Sequence, residues 1–287
     1  MLKRSSITML ASGVLVLSGF GAGPLAAQDL VEPGIEQDVG LAAAPPAPQN
    51  FATTELQLLY GDSSFGDGFF LGNNGLDETD RLVATLEHFS TWDYGEHFFF
   101  LDYNKDFDGN LGNETDFYGE AWEHFSLSKI TGTSFGDGSL IRDVNLGFSV
   151  NAGDELLIGL VGPRVDLNVP GFDLFTLGVY AYDNWEDPFD RNLDTTYQIT
   201  WVWNLPLIQT DRVNLWTQGF VDFIGDQGPV DSQIIWQPQV RVDLGQLMGK
   251  RPGFVEAGFE FDYFDDKFGV KGVDQKIFQA LLVFNLH

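Results

Sequence analysis

From about residue 53 onward, apolar positions recur every second residue, and polar ones fill the gaps. Leu56, Leu58 and Tyr60 oppose Glu55 and Gln57, and Leu82, Ala84 and Leu86 oppose Thr85 and Glu87. Val144, Leu146, Phe148 and Val150 oppose Asp143, Asn145 and Ser149. Val165, Leu167 and Val169 oppose Arg164, Asp166 and Asn168. Phe175, Leu177, Val179 and Ala181 oppose Thr176, Tyr180 and Tyr182, and Tyr197, Ile199, Trp201 and Trp203 oppose Gln198 and Thr200. Val213 and Leu215 oppose Asn214 and Trp216. The rhythm continues with Ile234, Trp236, Val240 and Val242, then Val255, Ala257, Phe259, Phe261 and Tyr263. It ends on Phe278, Ala280, Leu282, Phe284 and Leu286. A period of two predicts strands with one greasy and one wet face. No helical stripe persists past Phe51, and no apolar run there approaches the length of a membrane helix.

Turn-forming clusters such as NAGDE, GDQGP and FDDKFG separate the runs, as hairpin connections require. At about 20 residues per strand and turn, residues 51–287 give about 12 strands. The wet face carries Gln, Asn, Glu, Asp and Arg along long strands. The opposite face is almost wholly Leu, Val, Phe, Trp and Tyr, which is what a lipid-facing wall requires. The predicted fold class is therefore all-β, a transmembrane antiparallel β-barrel of about 12 strands. Trp201, Trp203, Trp216 and Trp236 are candidates for an interfacial aromatic belt. A soluble, lectin-like sandwich is the alternative architecture.

The beginning of the chain changes the picture. Residues 1–27 combine Lys3 and Arg4, an apolar run from Ile7 to Phe20 and small residues up to Ala27, the shape of a secretory signal peptide. A retained anchor is the competing reading, for which the run is short. Removing Lys3 and Arg4 with that segment, which holds no acid, takes the net charge from −27 to −29. Residues 28–50 read as an acidic Ala/Pro-rich disordered leader, and 51–287 as the barrel. So acidic a balance argues against nucleic-acid binding. The absence of cysteine excludes disulfides and thiolate chemistry.

The strand around FFFLDY (98–103) carries the most informative chemistry. A charge facing lipid is costly, so Asp102 points into the lumen and takes Phe98 and Phe100 with it. Phe99, Leu101 and Tyr103 then face lipid. The preceding strand places Glu87 and Phe89 inward by the same rule. Aromatic faces stack on nucleobases at about 1–3 kcal/mol per base in nucleic-acid systems. Carboxylates accept hydrogen bonds from sugar hydroxyls and disfavour phosphorylated permeants. The competing reading is that these rings only fill a small barrel. Glu55, Arg164, Tyr180, Arg241 and Glu260 are further lumenal candidates, although the two arginines could equally serve to pair the acids.

Residues 104–115, NKDFDGNLGNET, open like a calcium loop, but Thr115 stands where the bidentate Glu is required. An acidic hairpin loop is the simpler reading. The histidines lack zinc spacing, and no nucleophile or phosphate-loop motif appears. A carboxylate-pair hydrolase stays open only because the acids are so many. No metal, cofactor or enzyme activity is expected.

The stretches TTELQLLYG (53–61), LEHFSTWDYGEHFFFLDY (86–103), FYGEAWEHFSLSKITG (117–132) and VDLNVPGFDLFTLGVYAYDN (165–184) resemble the Tsx/OmpK family of nucleoside-specific channel-forming outer-membrane proteins. The chain departs from that family in its acidic leader and in its final His287. The resemblance implies a monomeric barrel of the bacterial outer membrane and passive uptake of nucleosides and deoxynucleosides. It also implies a role as a phage or colicin receptor. The alternatives are a non-selective small porin and a structural or adhesin-type barrel with a plugged lumen.

Overall fold

The computed structural model describes residues 50–61, 80–107, 115–136 and 138–286. The expected signal peptide, the leader up to residue 49 and the loop residues 108–114 lie outside them. Twelve strands follow one another: β1 (Ala52–Gly61), β2 (Asp80–Trp92), β3 (Gly95–Phe107), β4 (Thr115–Ser126), β5 (Ile141–Gly153) and β6 (Leu156–Leu167). They continue as β7 (Leu174–Glu186), β8 (Thr196–Gln209), β9 (Asn214–Ile224), β10 (Gln233–Asp243), β11 (Val255–Asp265) and β12 (Gln275–Asn285). Each pairs antiparallel with its neighbours in sequence, and β1 also pairs with β12, closing the sheet into a barrel. Closure leaves no edge strand with unpaired backbone groups, the condition for crossing a bilayer with strands.

The registers carry the predicted alternation all the way round. Exposed on the outer wall are Leu58, Phe99, Leu101, Phe148, Val179, Trp201, Trp236 and Phe259. Facing inward and buried are Gln57, Thr85, Asn145, Arg164, Gln198, Asp222, Gln239 and Arg241. This is an inside-out arrangement, with greasy residues exposed and charged ones enclosed, and it suits a protein whose outer solvent is lipid. Trp216 departs from the aromatic-belt expectation. It faces inward opposite Arg241 and donates from its indole Nε1 to Gln218 Oε1 at 3.0 Å.

Two prolines interrupt the ladder without opening the barrel. Between β10 and β11 the pairing passes from Trp236↔Tyr263 to Gln239↔Glu260, skipping Pro238, which has no N–H to give. On its other side Pro238 faces Gly219 at φ 151°, where a Cβ would come within 2.3 Å of the Gln237 carbonyl oxygen. Between β6 and β7 the pairing likewise passes over Pro163, from Val161↔Ala181 to Arg164↔Gly178.

The inner face is less uniformly polar than the alternation implies. Leu59, Val83, Leu281 and Val283 form one buried cluster on β1, β2 and β12. Ile158, Leu160, Tyr180, Tyr182 and Ile224 form another on β6, β7 and β9. A small barrel must fill part of its interior with side chains, and apolar ones serve where no permeant or water needs a partner. At the end bearing both termini of the barrel, a short helix α1 (Leu127–Thr131) is N-capped by Ser126, whose Oγ accepts from Lys129 N. A second, α2 (Leu244–Leu247), is N-capped by Asp243.

Candidate functional site

The inward side chains form two polar networks on different sectors of the wall. The first centres on Arg241 of β10, 1% exposed. Its Nη1 donates to Glu55 Oε2 at 2.8 Å and to Glu256 Oε2 at 3.1 Å, and its Nε donates to Gln239 Oε1 at 2.7 Å. Gln57 Nε2 donates to both Glu55 and Glu87. Gln239 Nε2 bridges Gln57 and Glu260. Four of the sequence-predicted residues, Glu55, Glu87, Arg241 and Glu260, thus share one continuous network spanning β10 to β2.

The second network is built on Arg164 of β6. Its guanidinium meets Glu96 of β3 at 2.5 Å and Asp166 at 2.9 Å. Beside it, His124 Nε2 lies 3.3 Å from the Tyr180 hydroxyl. The Trp122 ring stacks on His124 (centroids 5.5 Å apart, planes at 2°) and meets Tyr180 edge-on at 4.9 Å. These contacts leap from β3 and β4 to β6 and β7, so they cross the interior as chords. Room for them comes from inward glycines: a Cβ on Gly147 would meet His124 at 2.8 Å, and one on Gly178 would meet the Tyr180 ring at 2.4 Å.

Between the networks lies an aromatic and acidic strip on β2, β3 and β4. The rings of Phe98 and Phe100 are 6.1 Å apart, and Phe100 is 5.8 Å from Tyr118. Phe89 is opposite Phe98 in the ladder and contacts the ring of Phe51 at 6.2 Å. Asp102 accepts from Thr85 Oγ1 at 2.6 Å. Glu120 accepts from Tyr118 Oη at 2.6 Å and from Trp122 Nε1 at 2.8 Å. Phe98, Phe100, Asp102 and Glu87 keep partial exposure on the inner face, whereas Phe99, Leu101 and Tyr103 lie on the outer wall, as the alternation predicts.

Sequence reasoning missed Glu96, Tyr118, Glu120, Trp122, His124 and Asp222. The signal was present, because Tyr118, Glu120, Trp122, His124 and Ser126 alternate along β4. It was masked by Glu123, a carboxylate on the outer face that spoils the apolar half of the pattern. Outside the lumen, Asp265 at the end of β11 and Asp266 and Asp274 of the β11–β12 connection bring carboxylate oxygens within 4.8 Å of one another. Two of them already accept backbone hydrogen bonds, from Asp266 N to Asp274 and from Gly272 N to Asp266.

No family model matches the sequence, and no curated protein matches it. Among solved structures, a KdgM porin aligns over 83% of this chain and 100% of its own, at 8% identity and a TM-score of 0.45. A KdgM porin in complex with disordered oligogalacturonate aligns over 81% of this chain and 99% of its own, at 9% identity and a TM-score of 0.44. A bacterial polysaccharide outer membrane secretin aligns over 84% of this chain and 100% of its own, at 9% identity and a TM-score of 0.39. None of these three is described as a nucleoside channel.

Proposed function

We propose that this barrel is a passive outer-membrane channel for small solutes, selective for nucleosides and deoxynucleosides and working as a monomer. The observation that carries the reading is the inner strip of Phe98, Phe100, Tyr118 and Trp122 flanked by Glu87, Asp102 and Glu120. Rings offer a face to a flat base and the carboxylates accept from ribose hydroxyls, while neither holds an uncharged permeant so firmly that it fails to leave. Buried polar atoms of the lumen add unspent capacity. Arg241 Nη2, Asn145 Nδ2 and Gln279 Oε1 have no protein hydrogen-bond partner among the described residues.

In liposomes carrying the barrel, adenosine and thymidine should enter faster than a sugar of equal size. Equal rates would remove the nucleoside assignment and leave a non-selective small porin. The second reading, a barrel closed by its own side chains, is favoured by the chords from Arg241 to Glu55 and from Arg164 to Glu96. It predicts no ion current in planar bilayers.

A further inference from the structure

The outer wall is not uniformly greasy. A groove of about 870 Å³ crosses it, and its place in the ladder can be followed strand by strand. One row runs Ser90, His97, Glu123, Phe148, Val161 and Ala181, each opposite the next on strands β2 to β7. The parallel row runs His88, Phe99, Ala121, Val150, Gly159 and Asp183. Ala121, Gly159 and Ala181 make a low floor, and Phe99, Phe148 and Trp185 stand as walls.

The groove is amphipathic along its length. At the β2–β4 end, Glu123 accepts from Trp92 Nε1 at 3.0 Å and contacts His97 Nδ1, and His97 stacks on Trp92 at 5.4 Å. Lys129 Nζ is close by, donating to the carbonyls of Trp92 and Gly95. The middle is apolar. At the far end Trp185 covers Gly159, so closely that a Cβ there would meet the indole at 2.1 Å. Its Nε1 donates to Asp183, which also accepts from Thr195 Oγ1.

Five inter-strand steps of about 4.8 Å give a path of roughly 24 Å. With strands tilted by about 35–45°, such a path climbs roughly 15 Å, half of a hydrocarbon core about 30 Å thick. An outward carboxylate is costly against lipid tails unless it lies near the interface or meets a cation. Glu123 lies three residues from the end of β4, beside Trp92, the last residue of β2.

We propose that this groove holds one phospholipid of the surrounding bilayer, with an ammonium-bearing headgroup at Glu123 and its phosphate toward His97 and Lys129. Its acyl chain lies over Ala121, Gly159 and Ala181 and ends beneath Trp185. The inference rests on the membrane placement of the barrel but not on nucleoside selectivity. A second copy of the chain is the competing occupant.

The test uses the full chain reconstituted in liposomes of phosphatidylethanolamine and phosphatidylglycerol, then extracted in mild detergent, with retained lipid counted by native mass spectrometry. Wild type should keep one phosphatidylethanolamine per barrel. Ala121→Trp and Ala181→Trp, which fill the floor, should cut that retention about tenfold, a change of the size expected from losing a few buried methylenes. Glu123→Gln should abolish the preference for phosphatidylethanolamine. Ala280→Trp, an outward substitution on β12, should change neither, and folding of every variant is checked by its heat-resistant mobility on gels. Equal retention in wild type and the filled variants overturns the proposal, as does a dimer that the floor substitutions dissociate. Failure of wild type to insert into liposomes would instead overturn the membrane reading itself.

Discussion

At Arg241 the enclosed charge has a measurable consequence. The guanidinium serves Glu55, Glu256 and Gln239 together, so its removal leaves carboxylates facing one another inside the wall. Breaking a buried pair from one side costs about 3–5 kcal/mol, whereas replacing both sides is far milder. Arg241→Ala is therefore expected to lower the free energy of unfolding of the refolded barrel, read from its urea titration, by an amount in that range. Arg241→Ala combined with Glu55→Gln and Glu256→Gln should recover much of the loss. Equal midpoints for wild type and the single variant would show that water in the lumen screens the pair. The inward direction of this residue was legible in the sequence, because Val240 and Val242 flank it. Its partners were not, since Glu55 lies 186 positions away and only barrel closure brings β10 near β1.

Among elements, β3 shows how far alternation reaches. It separates Phe98 and Phe100 from Phe99, and the observed faces agree. It says nothing about β4's contribution, because Trp122 and His124 meet Tyr180 across three strand positions of a closed sheet. Nor does it foresee the apolar patch of Leu59, Val83, Leu281 and Val283, whose members sit at wet-face positions of their strands. Loss of two stacking faces should weaken nucleoside interruption of single-channel current: Phe98→Ala with Phe100→Ala is expected to raise the blocking concentration about tenfold or more. Unchanged block would take these rings out of the permeant path. The β7–β8 connection offers a test outside the bilayer. Burial alone would raise the Asp187 carboxyl, but hydrogen bonds from the Arg191 side chain and from the Arg191 and Phe189 backbone outweigh it and hold it below its ordinary value. Arg191 also lies over the Phe189 ring at 4.7 Å, and that ring meets Phe268 of the β11–β12 connection at 6.0 Å. Since the folded value is depressed, the clamp contributes fully above the unfolded value of about 3.9 and is lost as pH falls through the folded one. Hydrogen exchange in residues 187–195 should therefore stay slow down to about pH 4 and quicken below it. Asp187→Asn should quicken it at neutral pH and converge on wild type once the carboxyl is protonated, and a variant that exchanges like wild type at neutral pH would contradict the clamp.

For the whole molecule, the decisive property is the sign of the enclosed charge. Inward positions carry Glu55, Glu87, Glu96, Asp102, Asp116, Glu120, Asp143, Asp166, Asp222, Asp243, Glu256, Glu260 and Asp262, against Arg81, Arg164 and Arg241 among the described residues. The net charge of −27 over the full chain has the same sign. A narrow passage with low-dielectric walls focuses such a field and raises the local concentration of cations over anions. An open lumen should therefore pass potassium in preference to chloride. Under a tenfold salt gradient the reversal potential should take the sign of cation flow and shrink as ionic strength rises, because the Debye length falls from about 10 Å at 0.1 M to about 3 Å at 1 M. Neutral nucleosides would cross such a pore while nucleoside phosphates would be held back, so the ion measurement and the solute measurement bear on one physical cause. Anion preference would mean that Arg164 and Arg241 sit at the constriction with their acids already spent on them. In that case Arg241→Gln, which leaves the outer wall untouched, should reverse the preference.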